Sequence, residues 1–195
     1  MLQKFEFIKT DFEGAYLIKP FVSTDSRGAF VKDYSKEVFE ANGIKHDLAE
    51  VFYADNQPGV VRGMHFQRVC QQVKLVRCIK GKIFDVIVDL RPDSPTFLKW
   101  QGFYLSEENF DELYVPEYFA HGYLALEPST VVYKCNQGFR SEYDDGIQFN
   151  DPDFSIDWPI DEIKCEGFDS LEKLIRSEKD KNLQSFKEYK EKYIK

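Results

Sequence analysis

At 195 residues the chain is long enough for one domain with a substantial core and too short for a second full one. Its net charge of −8 excludes broad binding to nucleic acid or to an anionic membrane, because displacing counterions from phosphates takes a basic face, so an anionic ligand must be met by local Arg and Lys. No apolar run approaches the roughly 20 residues that span a bilayer, Met1 to Glu6 carry no secretory apolar stretch, and Cys70, Cys78, Cys135 and Cys165 show no C-x-x-C spacing; free thiols in a cytoplasmic protein are expected.

In chain order, residues 15–23 read as a first strand, Asp25-Ser26-Arg27-Gly28 as a turn and Ala29 to Tyr34 as a second strand, with 15–34 as a sheet edge open to another chain. A short helix follows, with Ser35 as its N-cap, Glu37 and Glu40 in its early turns and Gly43 as its stop. Residues 60–67 are strand-like. Val73 to Ile79 and Lys82 to Leu90 flank Lys80-Gly81, a two-residue hairpin connection, and Arg91-Pro92-Asp93-Ser94-Pro95 makes a longer turn before Phe97 to Leu105. Shorter strands fit Glu112 to Val115, Gly122 to Ala125 and Thr130 to Asn136. Aromatic residues make up 16% of the chain and strand formers crowd 60–135, so the fold is mainly β, a sandwich or barrel of the jelly-roll kind. After Pro159 the composition shifts, and residues 168–195 are rich in Lys and Glu. Leu171, Leu174 and Ile175 stand at helical spacing, which predicts one or two C-terminal helices on the barrel. The single domain thus divides into N-terminal strands and a short helix (1–50), a barrel core (51–160) and a C-terminal helical segment (161–195).

Two of the three histidines fall within strand-like runs, in Val60-Val61-Arg62-Gly63-Met64-His65-Phe66-Gln67 and in Phe119-Ala120-His121-Gly122. Histidine titrates near neutrality, so each is a candidate base or metal ligand as well as an ordinary core residue satisfied by backbone. The metal reading is disfavoured: Phe66 and Gln67 follow His65, so the alternating histidine pair and the carboxylate of a metal-binding barrel are missing. A barrel interior that holds Arg62, His65 and Lys74 together needs an anion to compensate them. Without a metal, such a pocket can take a proton from carbon beside a ketone. His65 would be the base, Lys74 the cation at the enolate oxygen, and Tyr133, in Val131-Val132-Tyr133-Lys134, an acid for the opposite face of a sugar ring.

The ordered series Val61-Arg62-Gly63-Met64-His65-Phe66-Gln67, Lys74-Leu75-Val76-Arg77, Phe84-Asp85-Val86, Ser94-Pro95-Thr96-Phe97, Val115-Pro116, Phe119-Ala120-His121-Gly122, Tyr133-Lys134, Asp157-Trp158-Pro159 and Ser177-Glu178-Lys179-Asp180 resembles the dTDP-4-dehydrorhamnose 3,5-epimerase family. The resemblance implies a cupin-type jelly roll, a homodimer that exchanges N-terminal strands, and a reaction without metal or cofactor that inverts C3 and C5 of a nucleotide-linked 4-keto-6-deoxyhexose. It implies His65 as proton acceptor with Asp180 orienting it, Tyr133 as proton donor and Lys74 at the 4-keto oxygen, with Asp85 holding Lys74. Arg62 and His121 would lie along sugar and phosphates, Phe139 would stack on the base, Asp145 and Lys179 would touch the ligand, and Arg27 would reach the pyrophosphate in the neighbouring subunit's site. By pattern alone Asp180 reads as part of a solvated charged segment.

Three departures fall on the nucleotide side. Lys32 stands where the family has Glu, Phe52-Tyr53-Ala54 replaces a Gln-x-Asn segment before a short loop, Asp55 to Gly59, and Arg68-Val69-Cys70-Gln71-Gln72 replaces a proline-containing loop. A GDP- or CDP-linked sugar, a 4-ketoheptose, epimerisation at C3 alone, a 3,4-ketoisomerase and a sugar-nucleotide-binding module without activity are the alternatives.

Overall fold

Two antiparallel sheets face each other in the computed structural model, which describes residues 4–194. One is six-stranded, in the order β1 (Glu6–Lys9), β2 (Tyr16–Lys19), β10 (Glu112–Val115), β7 (Lys74–Lys80), β12 (Ser129–Cys135) and β5 (Glu50–Asn56). The other is five-stranded, in the order β13 (Asp144–Gly146), β6 (Val61–Gln67), β11 (Phe119–Ala125), β8 (Lys82–Asp89) and β9 (Trp100–Ser106). A separate hairpin, β3 (Phe21–Asp25) with β4 (Gly28–Lys32), joins neither sheet. The arrangement is a cupin-like jelly roll.

Strand alternation sends successive side chains to opposite faces and creates three apolar layers. Val76, Cys78, Leu113, Val131 and Tyr133 meet Ile83, Ile87, Leu105, Phe119 and Tyr123 between the sheets. Met64, Val86, Val88, Ala120 and Leu124 form the back of the five-stranded sheet, covered by Phe149, Phe154 and Trp158 and, from the C-terminal segment, Phe186. Ile18, Leu75 and Tyr114, on the back of the six-stranded sheet, lie under Phe39 and Ile44 of the helix α1 (Lys36–Ala41) and its exit.

Several boundaries differ from the sequence reading. The expected strand over 15–23 is parted at Pro20, whose ring removes a ladder donor, so β2 enters the sheet and β3 leaves it. That segment is not the sheet edge, because β1 pairs outside β2. Lys80-Gly81 does not close a hairpin: β7 and β8 belong to different sheets, and Gly81 turns the corner between them. Its φ is +71°, and a Cβ there would stand 2.2 Å from the Pro128 carbonyl oxygen. Ser35 occupies the N-cap of α1, although its side chain makes no capping hydrogen bond.

The apolar spacing at Leu171, Leu174 and Ile175 does not make an α-helix. Leu171–Lys173 is a single 3-10 turn, and the chain then runs extended, with Leu174 buried, Ile175 exposed and Ile175 bridged in parallel to Val60. Helix resumes only as the short α2 (Glu178–Lys181) and as α3 (Phe186–Tyr193), which Ser185 and Glu188 start with a reciprocal capping box. Among the described residues no helix is long and apolar enough to cross a membrane.

Candidate active site

The site begins where β6 and β11 cross. Their backbones approach so closely that a Cβ on Gly63 would stand 2.6 Å from the Gly122 Cα, and one on Gly122 would stand 2.7 Å from the Arg62 carbonyl oxygen. The glycines of the Arg-Gly and His-Gly pairs are therefore steric requirements. The pairing sets His65 opposite His121, and a register shift lies between His121 and Tyr123. This leaves Arg62, His65 and His121 lining one cavity of about 340 Å³, which Lys74 and Tyr133 line from the facing sheet.

His65 Nε2 lies 2.9 Å from Asp180 Oδ1. Asp180 comes from α2, where its backbone N–H donates to the Ser177 hydroxyl at 3.0 Å, so the N-cap that starts the helix also seats the carboxylate. Burial works to raise the Asp180 pKa, but hydrogen bonding and the charge of His65 outweigh it and hold the carboxyl below its ordinary value. With Nε2 held by Asp180, Nδ1 is left as the other ring nitrogen, and no hydrogen-bond partner is recorded for it among the described residues.

The remaining groups differ in how they are held. His121 Nε2 lies 2.9 Å from each carboxylate oxygen of the fully buried Asp85. Burial lowers the pKa of the Lys74 ammonium, countered through space by Asp144 and Asp85 among others. Tyr133 stacks on Phe52 at 4.8 Å between centroids and meets the His121 ring edge-on at 5.9 Å. Its burial pushes the phenol well above its ordinary pKa, so the hydroxyl keeps its proton.

Of the residues expected from sequence, Arg62, His65, Lys74, His121, Tyr133, Phe139, Lys179 and Asp180 line the cavity together. Three are placed otherwise. Asp85 stands on β8 diagonal to His121, because Asp85 pairs with Tyr123 and Ile87 with His121, and its hydrogen bonds go to that imidazole and not to Lys74. Asp145 faces away, 2.9 Å from Arg68 Nε and bonded to Gln184; its neighbour Asp144 lines the cavity and pairs with Lys179. Adjacent residues of a strand point to opposite faces, so only one of the two can. Arg27 is absent from this cavity and sits at the exposed turn of the β3–β4 hairpin, paired with Asp25.

Phe52, Ala54 and Gln72, from two segments that the sequence placed on the nucleotide side, also line the cavity, as do Gln67 and Ser177, which were not expected there. The signal for Ser177 was present in the sequence: Ser-x-x-Asp is an N-cap pattern, and it locates Asp180 at the third residue of a helix. Asn56 of the short loop is part of β5 and takes Arg62 Nε on its Oδ1 at 2.8 Å.

Two facing sheets that bring a histidine–carboxylate pair, a lysine and a buried tyrosine to one cavity define a jelly-roll protein equipped for proton transfer. The sequence profile described as dTDP-4-dehydrorhamnose 3,5-epimerase matches residues 9–188. The chain is 44% identical over 188 residues to the dTDP-4-dehydrorhamnose 3,5-epimerase of Methanothermobacter thermautotrophicus, covering 96% of this chain and 97% of that protein. Among solved structures, the Bacillus anthracis dTDP-4-dehydrorhamnose 3,5-epimerase with TDP and PPi bound has a TM-score of 0.84 at 37% identity, over 93% of this chain and 99% of that one. The dTDP-6-deoxy-D-glucose-3,5-epimerase of Legionella pneumophila in complex with dTDP-4-keto-L-rhamnose has a TM-score of 0.86 at 32% identity, over 94% of each chain. The chain belongs to the dTDP-4-dehydrorhamnose 3,5-epimerase family.

Proposed function

We infer that this chain is an isomerase that inverts C3 and C5 of dTDP-4-dehydro-6-deoxyglucose. The observation that carries the reading is the cavity shared by the two sheets: His65, paired with Asp180 of α2, enters from one and Tyr133 from the other, with Lys74 beside them. His65 takes the proton from the carbon next to the 4-keto group, and Asp180 holds the imidazole in position and offsets the charge it gains. Lys74 meets the enolate oxygen, where negative charge develops. Tyr133 returns a proton to the other face, which inverts the centre. The His121–Asp85 pair and Arg62 bind along the sugar and phosphates, Asp144 and Lys179 form the rim, and Phe139, more than half exposed there, stacks on the base.

Supporting thymidine as the nucleoside, the Bacillus anthracis relative holds TDP and the Legionella pneumophila relative holds a dTDP-linked 4-keto sugar. The chain works as one catalytic unit over 1–195 and as a homodimer in which the β3–β4 arm crosses to the partner and brings Arg27 to its pyrophosphate. An arm outside both sheets, an exposed Phe30 on it and an exposed Arg27 at its tip support that arrangement. The four unpaired cysteines accord with a cytoplasmic setting.

Proton NMR in heavy water with dTDP-4-keto-6-deoxyglucose tests the activity. Loss of both the C3 and C5 signals is expected, and His65→Asn is expected to slow it ~10²–10⁴-fold, the usual worth of a positioned proton-transfer group. Absence of exchange in the native protein, or near-normal turnover in the variant, would overturn the assignment.

A further inference from the structure

Tyr123 is fully buried between the sheets, where a phenylalanine ring would pack as well, so its hydroxyl calls for a separate account. That hydroxyl donates to Asn56 Oδ1 at 3.0 Å. The same oxygen accepts Arg62 Nε at 2.8 Å, while Asn56 Nδ2 is committed to the Ala54 carbonyl at 3.1 Å and to Ser129 at 3.4 Å. Asn56 therefore cannot turn round, and it presents only an acceptor to Tyr123. The Tyr123 oxygen is left to accept, and Tyr133 shares the buried layer between the sheets with it, the hydroxyls of the two interacting there.

We propose that Tyr123 is a positioning residue for the acid: its hydroxyl aims the Tyr133 oxygen in the resting site and turns to donate to it when Tyr133 has given up its proton. The inference rests on the reading of Tyr133 as the acid. In the step itself the Tyr133 O–H bond breaks, the enolate electron pair forms the new C–H bond, and a phenolate remains. Tyr123 then swings its proton from Asn56 to that phenolate without transferring it, and Asn56 Oδ1 still holds Arg62, so no buried acceptor is stranded. Water later returns a proton to Tyr133 as His65 gives one up. Burial pushes the Tyr123 hydroxyl up to about 12, so it remains a donor throughout.

Tyr123→Phe removes the hydroxyl and keeps the ring. Two rates are followed by NMR in heavy water: exchange at C3 and C5, which needs only abstraction and return by His65, and formation of the inverted sugar, which needs Tyr133. The expected result is inversion slowed by about tenfold or more relative to exchange, the size of a hydrogen bond to a developing charge. Asn56→Ala, which removes the acceptor that orients Tyr123, is expected to lower the same ratio and serves if the first variant does not fold. An unchanged ratio, with both rates intact or both reduced together, would make Tyr123 a packing residue and leave the epimerase reading standing. No exchange in the native protein would remove both.

Discussion

On the proposed reading, Lys74 serves function at the expense of stability. Its ammonium is desolvated, and among the described residues it carries no ion pair; Cys135, Asp144 and Asp85 favour its charge through space and Lys179 opposes it. Its native pKa lies below the 10.5 of an exposed lysine, so the folded state disfavours the charge it must carry at neutral pH. Between the native pKa and 10.5 the unfolded chain binds more protons than the folded one, so this penalty is full below the native pKa and fades as pH rises through that window. Lys74→Met should therefore raise Tm, by about 2–4 °C for each kcal/mol relieved in a chain of this size, while turnover falls ~10²–10³-fold for want of the enolate's cation. Thermal unfolding of both proteins across the alkaline range checks this. The Tm gap should narrow as pH rises, and a variant less stable than the native chain at neutrality would contradict the argument.

At the scale of elements, the β6–β11 crossing fixes the geometry that the chemistry uses. A Cβ on Gly122 would meet the Arg62 carbonyl oxygen at 2.7 Å and the Met64 sulfur at 2.8 Å, both within the buried wall. Gly122→Ala must push the strands apart, and it is expected to cost about 1–3 kcal/mol and to cut activity by spoiling the opposition of His65 and His121. Gly138→Ala is the control, since its nearest new neighbour, Glu50 Oε2, would be 4.0 Å away; chemical denaturation of the pair separates packing from a general effect of lost glycine. The strands of this crossing were legible as 60–67 and as Gly122 to Ala125, whereas β1, β5 and β13 were not read as strands. The first and last are four and three residues long and carry little periodic signal. The C-terminal misreading has a different cause. Leu171, Leu174 and Ile175 fit a helical stripe on paper, but two of them cover the five-stranded sheet from a 3-10 turn and an extended segment.

For the whole molecule, the arm carrying Arg27 decides whether a site is complete within one chain. If the arm serves the partner's pyrophosphate, Arg27→Ala and His65→Asn each inactivate, but in a mixed dimer both lesions fall on the same site and leave the other whole. Equal mixing with subunit exchange should then restore about a quarter of native activity, because half the dimers are mixed and each has one intact site of two. Mixtures no more active than the parents would place Arg27 outside the site. The sequence signalled the turn at Asp25-Ser26-Arg27-Gly28 but not that its hairpin stands apart from both sheets, because pairing between strands is a long-range outcome.

What the sequence determined by itself was the chemistry available and the elements that carry it: inward histidines on strands, a lysine and a tyrosine on others, glycines beside Arg62 and His121, and a mainly β chain. These are local properties, set by side-chain type and by a period of two. Only the tertiary structure decided which groups meet. It brought Asp180 from a charged C-terminal segment to His65, gave Asp85 to His121, and turned Asp144 inward in place of Asp145. Each of these follows from register and packing between segments far apart in the chain, where a shift of one residue reverses the face a side chain takes.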